Sequence, residues 1–115
     1  MKGVARELVK IARELEAGVP ETILQQMGGA RRLQAMIGAY NFITNGSDLS
    51  FSFPNRKRSK GNAVKVTYNE GSDLYDMDFF NLSVNGVKKV ASFNGLFWED
   101  LIETFENQTG LYLKL

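Results

Sequence analysis

The chain has 115 residues, 43% of them hydrophobic and 23% charged, which is enough for one domain with its own core. It holds no Cys and no His. That removes disulfides, thiolate nucleophiles and Cys-based metal sites, along with the commonest general acid/base and transition-metal ligand. A formal net charge of +1 excludes a globally basic or acidic design for nucleic acid, so any electrostatic recognition must be local.

Residues 2–16 predict an amphipathic helix. Val4, Leu8, Ile11 and Leu15 recur at alternating four- and three-residue steps and form one narrow stripe, flanked by Ala5 and Ala12. Charges run throughout this segment, so it does not read as a secretory signal. Gly18 suits a C-cap, and Pro20 opposes simple continuation. The stripe also fits a two-heptad seam. Three roles stay open for it: docking on its own domain, binding a partner or a second copy, or serving as a detachable leader.

Residues 20–27, "PETILQQM", predict a second short helix, with Pro20 and Glu21 in its first turn. Gly28–Gly29 ends it. Leu33, Met36 and Ile37 then recur at helical spacing up to Gly38, so a third short helix follows and docks on a sheet.

From Tyr40 the period becomes two. Asn45-Gly46 and Asn85-Gly86 are hairpin turns between β-rich runs, because both turn positions need positive φ. Leu49, Phe51 and Phe53 share one strand face, as do Val64, Val66 and Tyr68. Tyr75, Met77 and Phe79 form a third inward set. Asn94-Gly95 is expected to stop the last strand. Residues 97–109 predict the best helix, with Phe97, Trp98, Leu101, Ile102 and Phe105 inward and Glu99, Asp100, Glu103 and Glu106 outward. Gly110 is its C-cap, and "LYLKL" is an extended tail able to add an edge strand. The expected fold is α+β: an antiparallel sheet of four to five hairpin-linked strands, with N-terminal helices and a C-terminal helix packed on one face. Residues 1–18 form an extension and residues 19–115 a single domain.

Four clusters deserve a chemical reading. "GGARR" matches neither phosphate-loop pattern; backbone amides with Arg31 and Arg32 could hold a phosphate, but a tight inter-helix connection explains the glycines better. Arg56, Lys57, Arg58 and Lys60 crowd one loop, where a flexible basic tip could track a nucleic-acid backbone. Phe42, Phe51, Phe53, Tyr68, Tyr75 and Phe79 would have to face solvent to stack bases, and most alternate as core residues do. Asp76 and Asp78 point the same way from one strand, with Asp73 nearby, but two carboxylates make a weak cation site. No nucleophile–base–orienter pattern is present, so no enzymatic activity and no cofactor is expected. The basic tip and the acidic face at Glu99–Glu106 have opposite charges, which would suit a head-to-tail self-contact.

Several segments together resemble a family of small phage and prophage proteins: "TILQQMGG", "RRLQAMIGAYNF", "LSFSFP", "VKVTYNEGSDLYDMDF" and "ETFENQTGLYLKL". That family tends to read TIL-x-QLGG, then AM-x-GA-x-NF, then LSF, then D-x-Y-x-M-x-F, and closes on TGLY. The resemblance spans residues 22–115. Met27 stands where Leu is usual, Leu33 where Phe is usual and Ile37 where Thr is usual, apolar swaps of the kind packing positions tolerate. The resemblance implies a viral or mobile-element origin and no assigned activity. Residues 1–18 lie outside it and resemble the amphipathic leaders of some virion proteins, cut after a Glu such as Glu14 or Glu16.

The expected role is therefore a small non-enzymatic accessory protein of phage or prophage type that recognises a protein partner or itself. It is expected in the host cytoplasm, with no membrane or small-molecule partner. A nucleic-acid-binding protein using the basic tip is one alternative; a virion or prohead component with an N-terminal targeting helix is the other.

Overall fold

A computed structural model describes residues 19–113. The helix expected over residues 2–16 lies outside them, and so do Val4, Leu8, Ile11 and Leu15. Helix α1 (Val19–Gln26) and helix α2 (Ala30–Ile37) come first. Five strands follow: β1 (Tyr40–Asn45), β2 (Asp48–Ser52), β3 (Ala63–Asn69), β4 (Leu74–Ser83) and β5 (Gly86–Leu96). A 3₁₀ turn (Trp98–Asp100) leads into helix α3 (Leu101–Thr109). The strands form one antiparallel meander in the order β1-β2-β3-β4-β5. This is the expected α+β architecture.

Each glycine boundary has a physical cause. After α1 the chain turns through Gly28 (φ 107°) and Gly29 (φ 89°), and the Gly29 amide donates to the Leu24 carbonyl, the six-to-one bond of a Schellman end. Helix α2 ends on a left-handed glycine with a different bond pattern. Gly38 is left-handed and donates to the Gln34 carbonyl, while the Ala39 amide donates to Leu33. A Cβ on Gly38 would also press on the Pro54 ring at 3.3 Å, so this turn and the end of β2 are packed together.

All three helices cover one face of the sheet. Ile23 and Met27 from α1, Leu33 and Ile37 from α2, and Leu101 and Phe105 from α3 share one core. Leu49, Phe51, Phe53, Val64, Val66, Tyr68, Tyr75, Met77 and Phe79 complete it from below, as the period-two reading expects. Phe105 sits at its centre, with ring centroids 5.1 Å from Phe53, 6.0 Å from Phe79 and 6.1 Å from Phe51.

Three expectations need correction. Asn94-Gly95 does not stop β5. Tyr75 pairs with Leu96 and Met77 with Phe93, so Asn94 and Gly95 together oppose Asp76 as a β-bulge. Gly95 supplies the positive φ (70°), and its amide donates to the Asp76 carboxylate at 3.0 Å. The strong hairpin signal of an Asn-Gly pair serves equally well inside a strand when a carboxylate takes the freed amide. The helical apolar run from Phe97 begins as a 3₁₀ turn, and Phe97 stays 38% exposed. Finally, Leu111 to Leu113 add no strand: Leu113 turns into the core at 1% exposure.

Tyr75 is 1% exposed, and its hydroxyl closes no well-directed hydrogen bond within the described residues. Burial pushes its phenol up from 10.0 to about 12; the neighbouring Gln26 side chain opposes this and the Asp73 carboxylate adds to it. The unfolded chain therefore releases this proton first, and stability present below pH 10 is lost as the pH rises toward 12. Tyr75→Phe should change stability at neutral pH by less than about 1 kcal/mol and flatten part of that alkaline fall. Urea titrations across the alkaline range check this, and an unchanged slope would contradict it.

Candidate functional site

None of the three described helices lies on the far face of the sheet, and its residues follow from the register. Ser52 pairs with Ala63 and Ala63 with Phe80, while Ser50 pairs with Lys65 and Lys65 with Asp78. On the flanks Ile43 pairs with Ser50, and Leu82 pairs with Val87. Small side chains thus form a floor over β2 and β3. Large apolar ones stand on both sides: Ile43 on β1, then Phe80, Leu82 and Val87 on β4 and β5. The trough between them has a cavity volume of about 250 Å³.

Two bulges shape it. Asn41, at φ 55°, bulges β1, so that Phe42 turns inward onto Phe51 (5.4 Å between centroids) while Ile43 keeps to the open face. Val90 is the extra residue of the second bulge, between the Phe79–Ala91 and Phe80–Lys89 pairs. The switch in parity leaves Ala91 on the core side and brings Lys89 to the open face, 5.9 Å over the Phe80 ring. Without these bulges, strict alternation would misplace both walls.

The trough is apolar where it is exposed. Ile43 is 60% exposed, Val87 70% and Leu82 41%, and Tyr40 stands beside them at 51%. The upper half of the same face is charged but internally matched. Lys65 meets Asp48 at 3.3 Å, and Lys89 meets Asp78 at 3.7 Å. Ser92 donates to Asp78 at 2.6 Å, and Asn69 donates to Asp76 at 2.8 Å. The two carboxylates weighed for a cation are thus occupied by protein partners. Among the described residues no three carboxylates converge on a metal-sized site.

The basic loop is tied down, which departs from the flexible tip expected of it. Asn55 donates to the carbonyls of Gly61 (3.0 Å) and Thr109 (3.2 Å), and accepts from the Lys57 amide. Asn62 exchanges two hydrogen bonds with the Leu82 backbone, and Gln108 donates to the Lys60 carbonyl. Arg56 and Lys57 line a cleft of about 560 Å³ against Thr109, Gly110 and Leu111. That cleft abuts the C-terminal end of α3, whose last carbonyls carry negative partial charge and work against an anion. Arg58 and Lys60 sit in a 3₁₀ turn and do not line the cleft.

The aromatics considered for base stacking face the core. Phe51, Phe53, Phe79 and Tyr75 are at most 1% exposed, and Tyr68 is 7% exposed. Arg32 is likewise committed. Its Nε donates to the Leu113 carbonyl at 2.7 Å, while the Leu113 amide donates to the Glu106 carboxylate at 2.9 Å. These two contacts replace the expected edge strand, and they take Glu106 out of a purely solvated acidic face. Arg31 is exposed beside it. The structure brings Arg56 and Lys57 together but leaves Arg31 and Arg32 elsewhere.

Sequence reasoning missed the trough, because no single strand announces it. Its signal was the pairing of Ser50, Ser52 and Ala63 as small residues between apolar neighbours, which becomes visible only once the register is known. Family models, curated proteins and solved structures show no significant match to this chain.

Arg32→Ala should cost about 1–3 kcal/mol by urea denaturation, because it leaves the Leu113 carbonyl unpaired. Ile43→Lys with Val87→Lys should abolish binding of an apolar reporter dye while shifting stability by less than about 0.5 kcal/mol per site. Persistent dye fluorescence would place the apolar surface elsewhere.

Proposed function

We propose that this protein is a small non-catalytic factor, of the phage or prophage type its sequence resembles, that works by recognising another protein through the open face of its sheet. One observation carries the reading: a trough with a small-residue floor and exposed apolar walls, on the face that the three helices leave bare. Isolated surface hydrophobics are ordinary, but a contiguous apolar depression marks a contact site. Its walls are aliphatic with one aromatic ring, Phe80, and the charges beside it are already paired. Such a site favours shape and apolar burial over charge.

Residue chemistry supports the absence of catalysis. The chain has neither His nor Cys, and Asp76 and Asp78 are held by Asn69, Gly95, Ser92 and Lys89. The nucleic-acid reading loses its stacking platform, since the aromatics it needs are inward. Among the described residues no helix is long and apolar enough to cross a membrane. Action in the host cytoplasm is part of the proposal.

A photo-reactive phenylalanine analogue at position 43, expressed in host cells, tests the reading. One dominant protein adduct is expected, and Val87→Lys in the same chain should reduce it about tenfold or more. No adduct, an adduct to nucleic acid, or one indifferent to Val87→Lys would refute it.

A further inference from the structure

The net charge of +1 conceals a separation of charge that the topology creates. Successive strands of the meander run in opposite directions, so the β2–β3 connection and the β4–β5 turn leave the sheet at one end. No Asp or Glu occurs between Asp48 and Glu70, or between Asp78 and Glu99. Those two stretches supply that end with Arg56, Lys57, Arg58, Lys60, Lys88 and Lys89. The 3₁₀ turn of Arg58 and Lys60 lies against β4 and β5, so the two groups of cations are neighbours in space. Lys89 meets Asp78, and among the described residues the other five make no ion pair. Glu106, the carboxylate in the last turn of α3, already takes the Leu113 amide.

The same end carries an apolar tip. Strand β3 last pairs with β4 at Ala63–Phe80, whereas the β4–β5 ladder runs on to Ser83–Gly86, three residues or about 10 Å further. The turn beyond that pair holds Val84 at 102% exposure, and Leu82 and Val87 stand exposed just behind it. Turns favour Gly, Pro, Asn, Asp and Ser, so the local backbone does not call for Val there.

The cations are set back from this tip. Lys88 pairs with Asn81 and Lys89 with Phe80, two and three residues behind Ser83–Gly86 and therefore about 7–10 Å from it. They project to opposite faces of the hairpin. Asn62 exchanges two hydrogen bonds with the Leu82 backbone, which fixes the end of the basic loop at the same level. An apolar tip with cations about 7–10 Å behind it repeats the layering of a bilayer surface. There the anionic head groups lie outside the acyl chains, and shallow insertion reaches about 5–10 Å. A nucleic-acid backbone would be met by cations at the tip itself, and it offers nothing apolar to Val84.

We propose that this end of the sheet docks on an anionic lipid surface, with Val84 inserted and Arg58, Lys60, Lys88 and Lys89 over the head groups. The contact is peripheral, and the cations act together by charge, so no single one is indispensable. It goes beyond protein recognition at the trough. The two surfaces share Leu82 and Val87, but Val84 does not line the trough, and Ile43 stands across its floor on β1.

The absence of Cys allows a single reporter to test it on the full chain. Val84→Cys, carrying an environment-sensitive fluorophore, is mixed with vesicles of phosphatidylcholine alone or of equimolar phosphatidylcholine and phosphatidylglycerol. A blue shift is expected with the anionic vesicles only, and none from the same label at Ser72→Cys in the opposite turn. Flotation of the unlabelled chain then measures affinity. Val84→Ser, which suits the turn and adds no charge, should weaken binding about tenfold. Lys60→Ser with Lys88→Ser should weaken it about fivefold per cation, and added salt should act in the same direction. Ile43→Ser, which damages the trough, should leave it unchanged. No flotation with anionic vesicles, an equal shift at position 72, or indifference to Val84→Ser would overturn the proposal. So would binding of duplex DNA in place of vesicles, which would assign the cations to nucleic acid. Loss of flotation with Ile43→Ser would also overturn it, because lipid would then be entering by the open face.

Discussion

The structure depends on where Phe105 goes. A five-stranded meander has an inner face lined by Phe51 on β2, Phe53 just past its end and Phe79 on β4, and none of these can cover the others. Helix α3 brings one ring into contact with all three. Everything that holds α3 serves that placement. The Asp100 side chain accepts the Phe97 amide at its start, Gly110 turns the chain at its end, and Asn55 pulls the Thr109 carbonyl toward the basic loop. Leu113 then folds back beneath Arg32 and Glu106. A buried aromatic of this size is worth several kcal/mol through burial and ring contacts, more than any exposed ion pair on this surface.

Covering one face so thoroughly leaves the other to its own devices. The three described helices are short, eight, eight and nine residues, and all three are used on the inner side. The outer face then divides in two. Its upper half carries charges that neutralise one another across neighbouring strands. Its lower half keeps Ile43, Phe80, Leu82 and Val87 around a floor of Ser and Ala. Neutral charge and apolar shape together favour the recognition by fit proposed above, in a chain whose net charge is close to zero. The basic loop, which looked like the more obvious feature in the sequence, serves instead as a brace between β4 and the end of α3.

Much of the fold was legible in advance, and the reasons differ by element. The alternation in Val64, Val66, Tyr68 and in Tyr75, Met77, Phe79 reads inward because the strand period is rigidly two. Gly28–Gly29, Gly38 and Gly110 read as helix ends because only a residue without Cβ takes the left-handed turn cheaply. The failures are equally specific. Asn94-Gly95 has the same local chemistry in a hairpin and in a bulge, and only the partner Asp76, distant in sequence, decides between them. The tail looked like a strand because alternation at Tyr112–Leu113 carries no knowledge of Arg32, which lies 81 positions earlier. The trough stayed hidden for the same reason, since it is a property of register across four strands. Asn55 and Asn62, which fix the loop, were missed because a polar residue in a loop looks the same whether or not its amide finds a carbonyl.

The meander order carries a consequence for synthesis. Each strand pairs with the one made just before it, so the sheet can assemble as it leaves the ribosome, from contacts that are short in sequence. The ring that seals its inner face arrives only with residue 105. For the interval in which β1 to β5 are out and α3 is not, the inner face lacks the ring that packs on Phe51, Phe53 and Phe79 and stays open to a passing chain. The lysines at the turn into β5, Lys88 and Lys89, emerge just before that interval, and they put charge at the edge most open to a stray strand.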